Sequence, residues 1–165
     1  MMKMKYIWPA ILVVYILFIF SNSMKPADIS SMDSGKALEL ARHLLAAAGT
    51  EASWLTDHVI RKAAHFSEYA LLGVILVCCV RSCEFTGERR LFLHLTAGYA
   101  VPFLDETIQL FVKGRSGQLP DVWLDCGGVV FGALFMALLG LRKGRTEKLN
   151  VKKLSNGAGI RRKPL

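Results

Sequence analysis

The chain has 165 residues, of which 53% are hydrophobic, and a formal net charge of +8. The length would suit one soluble domain, but the apolar residues lie in long blocks parted by short polar stretches, which is not the spacing of a soluble amphipathic fold. The whole charge excess falls in residues 142–165, where nine Lys/Arg meet a single acid, Glu147. No recognition motif accompanies it, so the charge is read as a basic, disordered cytoplasmic tail facing anionic lipid, with no nucleic-acid partner.

A bilayer core needs roughly 17–25 apolar residues in helical form, since lipid offers the backbone no hydrogen-bond partners. The expected fold is therefore all-α, an integral membrane four-helix bundle, with spans at about residues 6–23, 63–80, 91–112 and 122–141 of a domain covering 1–141. Block one follows Lys3 and Lys5 and carries Tyr6 and Trp8 at its start. It reads as a retained helix; a signal peptide cleaved near Ser21-Asn22-Ser23 is the other reading. Between Gly35 and Ala48, Ala37, Leu38, Leu40, Ala41, Leu44, Leu45 and Ala48 recur with helical spacing. This predicts an amphipathic external segment on the membrane interface, stopped by Gly49. Block two carries His65 and Glu68, block three Pro102, Asp105, Glu106 and Gln109, and block four Asp125. The four cysteines have neither disulfide nor zinc spacing and read as buried thiols.

Orientation follows from the positive-inside rule. With both termini cytoplasmic, 14 Lys/Arg lie inside and seven outside, the tail dominating the count. Lys62, His65, Glu68 and Tyr69 then lie in the outer half of span two. Asp105, Glu106 and Gln109 lie in the outer half of span three, Arg115 in the external loop, and Asp121 and Asp125 at the outer end of span four. At about 100° per residue, Lys62, His65, Tyr69 and Leu72 share one side of span two. Asp121, Asp125, Gly128 and Gly132 share one side of span four, and a Gly-x₃-Gly pair permits close helix packing. Polar side chains from three helices thus meet at one depth. Ionisable residues inside a membrane are costly and are candidates for function. The bland readings are that Asp121 caps span four and that His65 is a structural hydrogen-bonding group.

A histidine, several carboxylates and an arginine can bind a divalent metal or a phosphate, or move protons. The sequence names no cofactor and leaves metal binding open. H-E-x-x-H, G-x-S-x-G and G-x₄-G-K-[ST] are all missing.

Three elements together resemble the VanZ-like family. They are Arg61-Lys62-Ala63-Ala64-His65-Phe66-Ser67-Glu68-Tyr69, then Asp105-Glu106-Thr107-Ile108-Gln109 with Gly114-Arg115-Ser116-Gly117, then Asp121-Val122-Trp123-Leu124-Asp125 with Gly127-Gly128 and Gly132. The polar turn Ser21-Asn22-Ser23 also fits, and the likeness covers about residues 6–140. The resemblance implies a small multi-pass protein of the bacterial cytoplasmic membrane. It is a family associated with glycopeptide resistance, chiefly to teicoplanin. Three functions are carried forward. The leading one is a non-transporting envelope protein whose outer polar site engages a cell-wall precursor or lipid-linked envelope component. The second is a membrane enzyme acting on such a substrate. The third is a proton- or ion-coupled transporter, weakened by the apolar inner halves and by a bundle this small unless it oligomerises.

Overall fold

The computed structural model describes residues 2–50, 53–83, 85 and 87–159, with side chains between Tyr6 and Gly140 in that range. It is all-helical among the described residues: α1 Met2–Ser23, α2 Ala27–Ala47, α3 Asp57–Ser82, α4 Gly87–Gln109 and α5 Leu119–Gly159. Three stretches are long and apolar enough to cross a membrane, namely Tyr6–Ser23, Asp57–Ser82 and Leu119–Gly140. The expected fourth span is not among them. Helix α4 has 23 residues, about 34 Å at 1.5 Å per residue, so length is not what it lacks. Its apolar run is interrupted by His94, Gly98 and Pro102 and closed by Asp105 and Glu106.

Helix α3 begins well before the apolar block that betrays it. Thr56 is its N-cap, and its hydroxyl accepts from the Val59 backbone N–H at 3.3 Å. The polar first turns of α3, with Asp57, His58, Arg61 and Lys62, look like a loop when only hydropathy is read. The amphipathic segment is helical as expected, but it starts at Ala27, just after Pro26, and not near Gly35. It ends at Ala47, with Gly49 in the left-handed region at φ 74° and the Thr50 N–H closing on the Leu45 carbonyl at 2.9 Å. Ser34 of α2 donates to Asp57, and the Arg42 guanidinium donates to the Leu55 carbonyl at 2.6 Å. These bonds tie α2 to the start of α3, while Ile29, Met32, Leu40 and Leu44 stay exposed.

Helices α1, α3, α4 and the first turns of α5 share one apolar core, made of Leu12, Ile19, Tyr69, Leu72, Ile75, Leu76, Cys79, Val101 and Val129. Outside it, Leu17, Phe18, Phe92, Leu95, Phe103, Trp123 and Val130 are all exposed. In water such a surface would forfeit about 25 cal/mol for each Å² of apolar area; in lipid it does not. Together with the three apolar helices, this marks a membrane protein. The chain forms two compact units, one reaching to Ala133 and one beginning at Leu134. The second consists of the later part of α5, whose backbone is helical to Gly159 across the stretch where the sequence leads to the expectation of a disordered tail. Side chains after Gly140 lie outside the described residues.

Candidate functional site

Glycines bring the site's helices together. A Cβ on Gly73 would strike the Val129 carbonyl, and one on Gly132 would strike the Ala70 carbonyl. On Gly128 it would stand 2.6 Å from the Phe66 carbonyl. Helices α3 and α5 therefore touch backbone to backbone, which only residues without a side chain permit. Phe66 and Phe131 flank the seam with ring centroids 5.6 Å apart. This contact sets Lys62, His65 and Tyr69 of α3 opposite Asp121 and Asp125 of α5. The far end of α4 and the end of α1 complete the same region.

A cavity of about 260 Å³ opens there. Arg61, Lys62, His65, Arg115, Asp121 and Asp125 are among its lining residues, together with His58, Glu106, Gln109, Ser116 and Gln118. A second hollow of about 240 Å³ lies beside it and shares Arg61, His65 and Arg115. Lys62 Nζ stands 3.0 Å from Asp121 Oδ1. That oxygen lacks a regular hydrogen-bond angle, but at this distance the ion pair is the relevant interaction. Arg115 donates from Nε to the Lys25 carbonyl at 2.9 Å and from Nη2 to the Asn22 carbonyl at 3.3 Å. It thereby clamps the loop after α4 onto the α1–α2 junction, with Gly114 at φ 77° making the turn. Partial burial holds the Arg115 pKa below its ordinary value, and Asp105 opposes that pull.

The carboxylates fall into two groups. Glu106 uses both oxygens: Oε1 accepts from Gln109 Nε2 at 2.8 Å, and Oε2 accepts from the Gln118 N–H at 2.9 Å. Glu68 Oε1 accepts from Asn22 Nδ2 at 3.0 Å, while the Tyr15 hydroxyl donates to the Glu68 carbonyl at 2.9 Å. Asp121 has Lys62. Asp105 and Asp125 are different. Both are fully buried. Asp105 Oδ2 accepts from Gln109 Nε2 at 3.3 Å, but its Oδ1 has no hydrogen-bond partner among the described residues. The Tyr69 hydroxyl lies near that carboxylate without hydrogen-bond geometry. Among the described residues neither oxygen of Asp125 has a hydrogen-bond partner, and neither does His65 Nδ1. Ligand atoms of His65, Asp105 and Asp125 all lie within 4.8 Å of one another.

A sequence model of the VanZ/LLP1 family matches residues 7–140. The chain belongs to the VanZ/LLP1 family. No curated protein and no solved structure matches it. The VanZ/LLP1 match spans the whole polar cluster and stops short of the basic tail.

The structure of this VanZ/LLP1 chain brings Lys62, His65, Glu106, Gln109, Arg115, Asp121 and Asp125 to one cavity and buries Asp105 and Tyr69 beside it. The near neighbours of His65 are Asp105 and Asp125, acids of α4 and α5, while Glu68 turns toward Asn22 and the second hollow. Arg115 binds backbone carbonyls and not a carboxylate. Asn22, Ser23, His58, Arg61 and Gln118 belong to the region and were not in the expected cluster. Ser23 is buried next to Asp105. The signals were available: the polar triplet closing block one, and the spacing of His58, Arg61, Lys62 and His65 on one helical side. The four cysteines form no disulfide. Cys126 instead donates to the Gly98 carbonyl at 3.5 Å.

Proposed function

We propose that this VanZ/LLP1 protein is a non-transporting, multi-pass protein of the cell membrane. Its polar cavity opens outward and binds the anionic headgroup of a lipid-linked envelope component. In this reading α4 crosses the bilayer with the three apolar helices, its polar end turned inward, and both termini are cytoplasmic. Reduced access of a teicoplanin-type glycopeptide to its target is the phenotype that such binding would produce.

The observation carrying the reading is the cavity itself. Arg61, Lys62 and Arg115 line a hollow of about 260 Å³ at a helix end, where polar side chains would otherwise face the interface. Cationic side chains at a water–lipid boundary favour phosphate. Transport is less well supported, because the buried polar residues of the described helices gather at one end while α3 from Leu72 to Val80 is apolar.

The test uses purified full-length protein in nanodiscs with a polyprenyl phosphate and the matching uncharged polyprenol. Preference for the phosphate, reduced about tenfold or more in Lys62→Gln or Arg61→Gln, is the expected result. Equal retention of both lipids would sink the reading. Expression in a sensitive bacterial host should raise the teicoplanin concentration needed for inhibition, and Lys62→Gln should abolish the rise.

A further inference from the structure

Asp125 is fully buried, and among the described residues no donor reaches either oxygen. Asp105 is fully buried, and its Oδ1 makes no regular hydrogen bond among the described residues although the Ser23 and Tyr69 hydroxyls lie near the carboxylate; His65 Nδ1 is likewise unpartnered there. Buried charges persist when paired or when they coordinate a metal. Among the described residues Glu106 accepts from Gln109 and Gln118 and Asp121 has the Lys62 ammonium, so beside this trio only the Tyr69 hydroxyl is buried with neither a hydrogen bond nor an ion pair. Its members come from α3, α4 and α5, and the backbone contact through Gly73, Gly128 and Gly132 locks two of those helices together.

We infer that His65, Asp105 and Asp125 form a divalent transition-metal site. Their ligand atoms lie within 4.8 Å of one another. Two ligands at about 2.1 Å from an ion stand roughly 3–4 Å apart, so side-chain closure of about an ångström completes the site. One imidazole with two carboxylates suits Zn²⁺ or Mn²⁺ better than Mg²⁺ or Ca²⁺, which take oxygen ligands. Gln109 donating to Asp105 Oδ2 at 3.3 Å leaves Oδ1 for the ion and fixes the carboxylate's plane, as outer partners do at metal centres.

His65 and Asp125 also line the cavity, so the ion's open positions face it. This matters for the headgroup. Without the ion, a phosphate entering between Arg61 and Lys62 would meet two buried carboxylates of its own sign. With it, the cavity floor becomes a ligand for a phosphate oxygen. The metal site rests on geometry alone; its use by a headgroup rests on the function proposed above.

The experiment takes full-length protein in nanodiscs, stripped with chelator and titrated separately with ZnCl₂ and MnCl₂. One ion per chain is expected. Asp125→Asn and His65→Gln should weaken binding more than about tenfold, while Glu39→Gln on the exposed face of α2 should leave it within about threefold. Because the ligand variants could fail to fold, Mn²⁺-loaded wild type is also read by pulsed electron paramagnetic resonance, where coupling to one histidine nitrogen is expected. Absence of stoichiometric binding, or bound Mn²⁺ without nitrogen coupling, overturns the metal site. Metal binding without preference for polyprenyl phosphate sustains the site and overturns the headgroup reading. Phosphate preference that survives chelation without stoichiometric metal does the reverse.

Discussion

The Glu106 carboxylate accepts the backbone N–H of Gln118 at 2.9 Å across the turn between α4 and α5. The bond joins the last turn of α4 to the residue before α5, and Gly117 packs so tightly there that a Cβ would strike the Glu106 carbonyl. Since Gln109 takes the other carboxylate oxygen, each oxygen of Glu106 already accepts one hydrogen bond in this arrangement. Glu106→Gln would set an amide N–H₂ against one of two donors. The expected loss is about 1–3 kcal/mol of stability, seen as a lower thermal midpoint in detergent. Asp125→Asn, in contrast, breaks no hydrogen bond and should keep folded yield while losing metal and headgroup binding. An Asp125→Asn protein that fails to fold while Glu106→Gln is silent would show that the roles of the two acids are reversed.

Lys62 and Asp121 form an ion pair in which each side chain keeps about a third of its surface exposed. Exposed pairs contribute about 0–1 kcal/mol. Asp121→Asn should therefore leave the unfolding midpoint nearly unchanged. Freed from its partner, Lys62 should then bind polyprenyl phosphate at least as well as in the wild type. A drop in folded yield would show that Asp121 is chiefly a structural group.

The seam between α3 and α5 predicts a contrast among glycines. Gly132→Ala places a methyl group against the Ala70 carbonyl, and neither backbone can yield without parting the helices. A loss of about 1–3 kcal/mol or more is expected. Gly35→Ala on α2 meets nothing within 4 Å, and should stabilise by about 0.5–1 kcal/mol through helix propensity. Thermal unfolding of both variants in the same detergent checks the contrast.

Pro102 has no N–H to give the carbonyl four residues earlier, that of Gly98, and the Cys126 thiol donates to it at 3.5 Å. Cys126→Ala should cost about 0.5–1.5 kcal/mol and Cys126→Ser less. In a Pro102→Ala background the helix supplies its own donor, so the Cys126→Ala penalty should shrink toward zero in a double-mutant cycle. An unchanged penalty would assign the thiol to packing alone.

Reporter fusions test the arrangement in the membrane. Fusions after residues 50 and 117 should report external, and those after 86 and 150 cytoplasmic, if α4 crosses with the three apolar helices. An external signal from both 86 and 117 would place α4 outside the bilayer and remove the outward-facing cavity from its proposed setting.

The sequence by itself determined the helical class, the apolar spans of α1, α3 and α5, the stop at Gly49 and the shared side of Asp121, Asp125, Gly128 and Gly132. These follow from local quantities: hydropathy over one helix length, a residue that tolerates positive φ, and an angle of about 100° per residue. The start of α3 was hidden because its first turns are polar and held by a cap and by α2, neither of which hydropathy records. Only the tertiary structure decided how the carboxylates divide. Asp105 and Glu106 are adjacent in the chain and chemically alike, yet both Glu106 oxygens accept a hydrogen bond, from Gln109 and Gln118, while Asp105 Oδ1 makes no regular one among the described residues. That difference depends on which donors neighbouring segments bring within about 3 Å, and hydrogen-bond strength falls steeply beyond that distance. The meeting of His65 with Asp125, 60 residues apart in sequence, likewise depends on α3 and α5 packing at backbone contact.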